Sequence, residues 1–218
     1  MMFASRNGGR IMATPGARAS CPACESLVIA KCGQIVSWHW AHESVADCDE
    51  WAEPDSGWHL HWQSAVPEDR REVVFAPHRA DAVAADGTVV ELQHSSISTA
   101  EIAERESFYG KRMIWIFDVG DAYAAERLLI RPKSYRNPPP GALRGASFRW
   151  KHPRKSVAWC RRPALLDLGD GEVLSLQRLY CSRPPHGGWG WLYSAEFVRR
   201  WMCGSAAAES AAQRLQGG

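Results

Sequence analysis

Two short, largely apolar runs in the middle of the chain, each carrying an acid, frame the rest. Ala80 to Ala85 reads as a strand and Thr88 to Gln93 as its return, with the tight-turn dipeptide Asp86-Gly87 between them, so the segment predicts a β-hairpin. Side chains alternate along a strand, which places Glu91 and Gln93 on one face and Leu92 on the other. A β-branched run, Glu72 to Ala76, predicts a strand before the hairpin, and the apolar run Arg112 to Asp118 predicts a buried strand after it. Helical spacing flanks them. Ser56 to Val66 predicts a helix with Asp55 near its amino end, and Asp55, His59 and Gln63, four apart, share one face. Ser98 to Tyr109 predicts a second helix, with Ser98 as cap, Glu101 three residues on, and Arg105 near the face of Ile102 and Tyr109. The order is helix, three strands, helix, strand: an α/β core over residues 51–135.

The flanks read differently. Pro138-Pro139-Pro140-Gly141 predicts a linker and a boundary near residue 140. Beyond it, strands are expected at 156–159, 165–168, 173–179 and 189–193, with Gly169-Asp170-Gly171 as a hairpin turn and a helix over 194–202 capped by Ser194. Residues 141–203 therefore predict a small mixed accessory domain, and 204–218 a frayed tail. Residues 1–20 are basic and acid-free, with no apolar export segment, and Gly8-Gly9 and Pro15 oppose an amphipathic helix; they read as a flexible leader.

Composition adds bounds. With 218 residues, 45% hydrophobic and 23% charged, the chain has room for a sizeable core and a small module. A net charge of +2 does not argue for nucleic acid, but its distribution does. From Arg127 to Leu166 there is no Asp or Glu, while basic residues interleave with Tyr135, Phe148, Trp150 and Trp159. That composition suits either a track for phosphates and unpaired bases or a solvated basic face. The seven cysteines are an odd number in a chain without an export signal, which implies a cytoplasmic protein with thiols reduced or metal-bound. No window reaches transmembrane length, so no membrane partner is expected. Cys21-Pro22-Ala23-Cys24, then His39-Trp40-Ala41-His42, pairs two thiols with two imidazoles, a donor set for tetrahedral zinc, and Leu27 to Trp38 predicts the hairpin that joins them. Cys32 and Cys48 are spare thiols able to replace a histidine. Residues 21–50 thus predict a zinc module.

The residues Cys21-x-x-Cys24, His39-x-x-His42, Asp55-x-x-x-His59-x-x-x-Gln63, Arg79-Ala80-Asp81, Glu91-Leu92-Gln93-x-Ser95-x-Ile97-Ser98, Arg105 and Tyr109 resemble the competence protein CoiA-like family over residues 21–118. The resemblance implies a restriction-endonuclease-like PD-(D/E)XK core behind a cysteine/histidine zinc module. It implies that Asp81 and Glu91, with the Leu92 carbonyl, hold Mg²⁺ or Mn²⁺, and that Gln93 stands where the wider superfamily places lysine. Asp55 matches a position where the family usually shows glutamate, His59 matches the family histidine, and Gln63 replaces a common lysine. An amide is neither a cation nor a useful base, so Gln93 can only orient water. Arg79 and Arg105 are candidates to steady either substrate phosphates or the core acids. The expected function is metal-dependent hydrolysis of single- or double-stranded DNA, in DNA uptake or foreign-DNA processing. The alternatives are a non-catalytic nucleic-acid-binding protein that keeps the fold, and a zinc-dependent adaptor.

Overall fold

The computed structural model describes residues 1–35, 37–44, 48–49, 51, 56–134, 137–180 and 186–204. Asp55, Tyr135 and Arg136, and the tail beyond 204, lie outside the described residues.

Two sheets organise the chain. The first comprises β1 (Phe3–Arg6), β2 (Gly9–Met12), β3 (Arg18–Ser20), β4 (Leu27–Lys31) and β5 (His39–His42), antiparallel in the order β2-β1-β3-β4-β5. The expected flexible leader is therefore corrected: residues 1–20 supply three strands. Asn7-Gly8 is the signal, since both adopt positive φ (52° and 77°), the geometry of a two-residue hairpin loop. Ala4, Ala19, Val28 and Trp40 form a small core there with Cys21.

The second sheet carries the expected order: α1 (Gly57–Gln63), β6 (Arg71–Phe75), β7 (His78–Val83), β8 (Val89–Gln93), α2 (Thr99–Tyr109) and β9 (Met113–Asp118). The chain continues through α3 (Gly120–Ala124), β10 (Leu128–Lys133), β11 (Arg144–Trp150), β12 (Ala164–Asp167), β13 (Glu172–Leu179), β14 (Gly187–Ser194) and α4 (Ala195–Cys203). All nine strands from β6 onward join one sheet, in the order β10-β11-β14-β13-β12-β9-β8-β7-β6. β9 is parallel to both β8 and β12, and the other pairs are antiparallel. The segment expected to be an accessory domain thus extends the central sheet. The boundary expected near residue 140 falls between hairpin partners β10 and β11. Residues 155–159 form a 3-10 turn instead of a strand, with Ser156 and Val157 buried.

Both faces of this sheet are covered. Trp62, Val66, Val90, Leu92, Ile114, Ile116, Val198 and Trp201 form the core under α1 and α4. Ile102, Trp115, Phe117, Leu128, Phe148, Trp150 and Leu174 form the other, under α2. β8 is buried at all five positions, as a central strand must be. Caps fix the helix starts: the Ser56, Ser98 and Ser194 hydroxyls accept from the amides of His59, Glu101 and Phe197.

Candidate functional site

Asp81 stands where two strands part. β7 and β8 pair through Val83↔Val89 and Ala82↔Val90, and the next step would set Asp81 opposite Glu91. There the ladder stops, although β7 runs on to His78 against β6. In place of a backbone carbonyl, the Asp81 Oδ2 accepts the Leu92 amide at 2.8 Å. The fork is closed from α1. His59 Nε2 lies 2.9 Å from the Leu92 carbonyl oxygen, to which it donates its N–H because a carbonyl only accepts, and its Nδ1 lies 3.0 Å from the Ser56 hydroxyl. Gln63 Nε2 donates to the Asp81 carbonyl at 3.4 Å. The spacing of four that places His59 and Gln63 on one helical face also brings both to this fork.

Glu91 is 2% exposed on the α2 side of β8. Its Oε2 accepts from Arg105 at 2.6 Å, while its Oε1 has no hydrogen-bond partner among the described residues. Arg105 is itself buried and donates also to Glu101 and, at 2.8 Å, to the Trp51 carbonyl. Of its two expected roles, the geometry is that of steadying a core acid. Burial pushes the Glu91 carboxyl up to about 8, aided by the negative charge of Asp81 and opposed by Arg105. Burial likewise raises Asp81, against the pull of His59, the Leu92 amide, Arg105 and Arg79. Two carboxyls in one desolvated place resist joint ionisation, and an uncompensated carboxylate oxygen there fits a hard cation with oxygen ligands. Among the described residues, no third Cys, His or acidic side chain joins Asp81 and Glu91 within ligand spacing. Further donors would be the Leu92 carbonyl or an amide.

Gln93 is buried on the same strand face as Glu91 and donates to the Ser95 carbonyl at 3.2 Å. Arg79 gives its backbone amide to Asp49 Oδ2 at 2.9 Å, and its charge acts on Asp81. Asp55 lies outside the described residues.

The amino-terminal cluster comprises Cys21, Cys24, His42 and Cys48, whose ligand atoms all lie within 4.8 Å of one another. The Cys21 and Cys48 sulfurs are 3.7 Å apart, close to the ~3.8 Å edge of a tetrahedron with metal–sulfur bonds of ~2.3 Å. Cys24 Sγ lies 3.3 Å from His42 Nε2. Three thiols and one imidazole suit a structural zinc. His39 is corrected out of this set: its Nδ1 lies 2.9 Å from the Ser37 carbonyl oxygen. The reason is strand geometry. Positions three apart on β5 point to opposite faces, so one strand cannot present both histidines to one ion. Cys48 takes the fourth place. Burial pushes the Cys48 thiol up to about 12; against the same upward pull, Ser26, His42 and Cys48 draw the Cys24 thiol down to about 6.

Two contributors from the carboxy-terminal half escaped the sequence reading. Asp167 Oδ2 accepts from both the Trp58 and Trp62 indoles at 2.8 Å, pinning α1. Arg154 donates to the carbonyls of Gln93, His94 and Ser95 at 3.3, 2.7 and 3.2 Å, holding the exit of β8. Their sequence contexts, an acid closing an apolar strand and a basic run, conceal these roles. The interleaved aromatics also divide: Phe148 and Trp150 are core, whereas Trp159 is exposed. Arg131, Lys133 and Arg149 are exposed on the edge hairpin of β10 and β11.

Residues 17–50 match the family model described as competence protein CoiA, N-terminal domain. That span includes all four members of the Cys/His cluster. No curated protein and no solved structure matches the chain.

Proposed function

We propose that this protein is a metal-dependent nuclease that hydrolyses DNA, with a zinc-bearing amino-terminal module and a competence-related role. The observation that carries the reading is the fork at Asp81, where an acid displaces a ladder hydrogen bond beside the uncompensated buried oxygen of Glu91. The CoiA match over residues 17–50 supports it through the neighbouring module. The carboxy-terminal basic hairpin supports a polyanionic substrate.

Asp81 and Glu91, with the Leu92 carbonyl, would hold Mg²⁺ or Mn²⁺. Such an ion, when bound, lowers the pKa of a water and polarises a phosphate oxygen. The chain's own residues do the rest. Arg105 keeps Glu91 in place, Gln93 orients water by hydrogen bonds, and His59 fixes the Leu92 carbonyl through its Nε2–H. Arg79 supplies positive charge beside Asp81.

Purified zinc-loaded protein, offered single- and double-stranded DNA with Mg²⁺, Mn²⁺ or chelator, should cleave only with a divalent ion. An Asp81→Ala variant should be inactive. Absence of cleavage with every ion, alongside intact DNA binding, overturns the enzyme reading. That outcome would favour the second reading, a non-catalytic nucleic-acid-binding protein, which the amide at Gln93 supports because it cannot act as a base.

A further inference from the structure

Gln63 is 1% exposed, yet its side-chain Oε1 has no hydrogen-bond partner among the described residues. The other end of the amide is committed: Nε2 donates to the Asp81 carbonyl at 3.4 Å. That contact orients the amide with its nitrogen towards the carbonyl, because a carbonyl only accepts. At the same fork, Glu91 Oε1 is another buried acceptor without a hydrogen-bond partner among the described residues. A buried acceptor left unsatisfied is costly, and both of these belong to residues that neighbour Asp81, Gln63 through the Asp81 carbonyl and Glu91 on the adjoining strand. Every one of these atoms is electron-rich, and hard divalent cations take carboxylate and amide oxygens alike.

We propose that the Gln63 side-chain oxygen is a donor to the divalent cation held by Asp81 and Glu91, an inference that rests on the metal-dependent reading above. The glutamine offers an uncharged oxygen donor. It also gives the pair a further protein ligand, which the nearby Cys, His and acidic side chains do not supply.

The test is a Mn²⁺ titration of the zinc-loaded full chain, with free Mn²⁺ read by electron paramagnetic resonance. Mn²⁺ prefers oxygen donors and leaves the thiolate cluster to zinc. Wild type should bind Mn²⁺, Gln63→Leu should bind about tenfold more weakly or worse, and Gln63→Glu should bind more tightly. A folded Gln63→Leu that titrates like wild type means a bridging water only and overturns the assignment. If Gln63→Leu does not fold, Gln63→Glu decides: tighter binding supports the assignment, and affinity no greater than wild type overturns it. Wild type that takes up no more Mn²⁺ than Asp81→Ala would overturn the metal-dependent reading, and this inference with it. The two failures are thereby distinguishable.

Discussion

At the scale of single residues, alternation along β5 decides which histidine joins the Cys/His cluster. His42 and Cys48 join Cys21 and Cys24, while His39 turns to its own loop. Cys48→Ser should therefore lose stoichiometric zinc by elemental analysis, and His39→Ala should retain it. Glu91 gives a pH signature. Its folded carboxyl is raised from 4.5 to about 8, chiefly by burial, so between those values the unfolded chain is the more ionised. The folded state then binds more protons, and this group lowers stability as pH rises through that window. A bound cation favours the ionised form. The rise in melting temperature produced by Mn²⁺ should accordingly grow as buffers pass from mildly acidic to about pH 8, and should be lost in Glu91→Gln. Equal Mn²⁺ shifts at every pH would remove Glu91 from the metal site.

At the scale of elements, α1 is placed from both ends of the sequence. Ser56 caps it, and Asp167 on β12 receives two indole N–H groups from it. Asp167→Ala leaves the fully buried Trp62 indole without an acceptor, at about 1–3 kcal/mol, and frees that of the half-buried Trp58. The expected outcome is a marked fall in the urea midpoint with the Cys/His cluster still binding zinc. The segment after β5 is the second placed element. Cys48 belongs to the cluster, Asp49 holds the Arg79 amide and lies 2.9 Å from His78 Nδ1, and the Trp51 carbonyl holds Arg105. Removing zinc should therefore loosen Arg105 and Arg79, lowering Mn²⁺ affinity in the chelated protein and restoring it when zinc is returned. Mn²⁺ affinity indifferent to zinc would separate the two centres.

At the scale of the whole molecule, the sheet is the unit. β12 lies against β9 and shares two cores with β8 and β9, so a chain ending near residue 140 would bare the β9 edge and both faces above it. Such a truncation should be insoluble or lack cooperative unfolding by calorimetry, rather than yield a folded amino-terminal part. The amino-terminal sheet is tied in as well, since the Met2 and Phe3 amides donate to the Glu72 carboxylate at 3.0–3.1 Å. Among the described residues, no helix is long and apolar enough to cross a membrane. The local terms were legible in the residues themselves: the Asp86-Gly87 hairpin, the Ser98 and Ser194 caps, the one-face spacing of His59 and Gln63, and the C-x-x-C pair. Each depends on neighbours within a turn or two, where propensity and periodicity act. Asn7-Gly8 was equally legible as a hairpin, and the basic composition around it concealed the strands. What tertiary structure alone decided is how distant pieces meet: Cys48 in place of His39, Arg105 on Glu91, Asp167 and Arg154 behind the site, and the carboxy-terminal strands within the central sheet. Those choices turn on which face a strand presents and which buried polar atoms need partners, and residues far apart in sequence share those constraints only once the chain is packed.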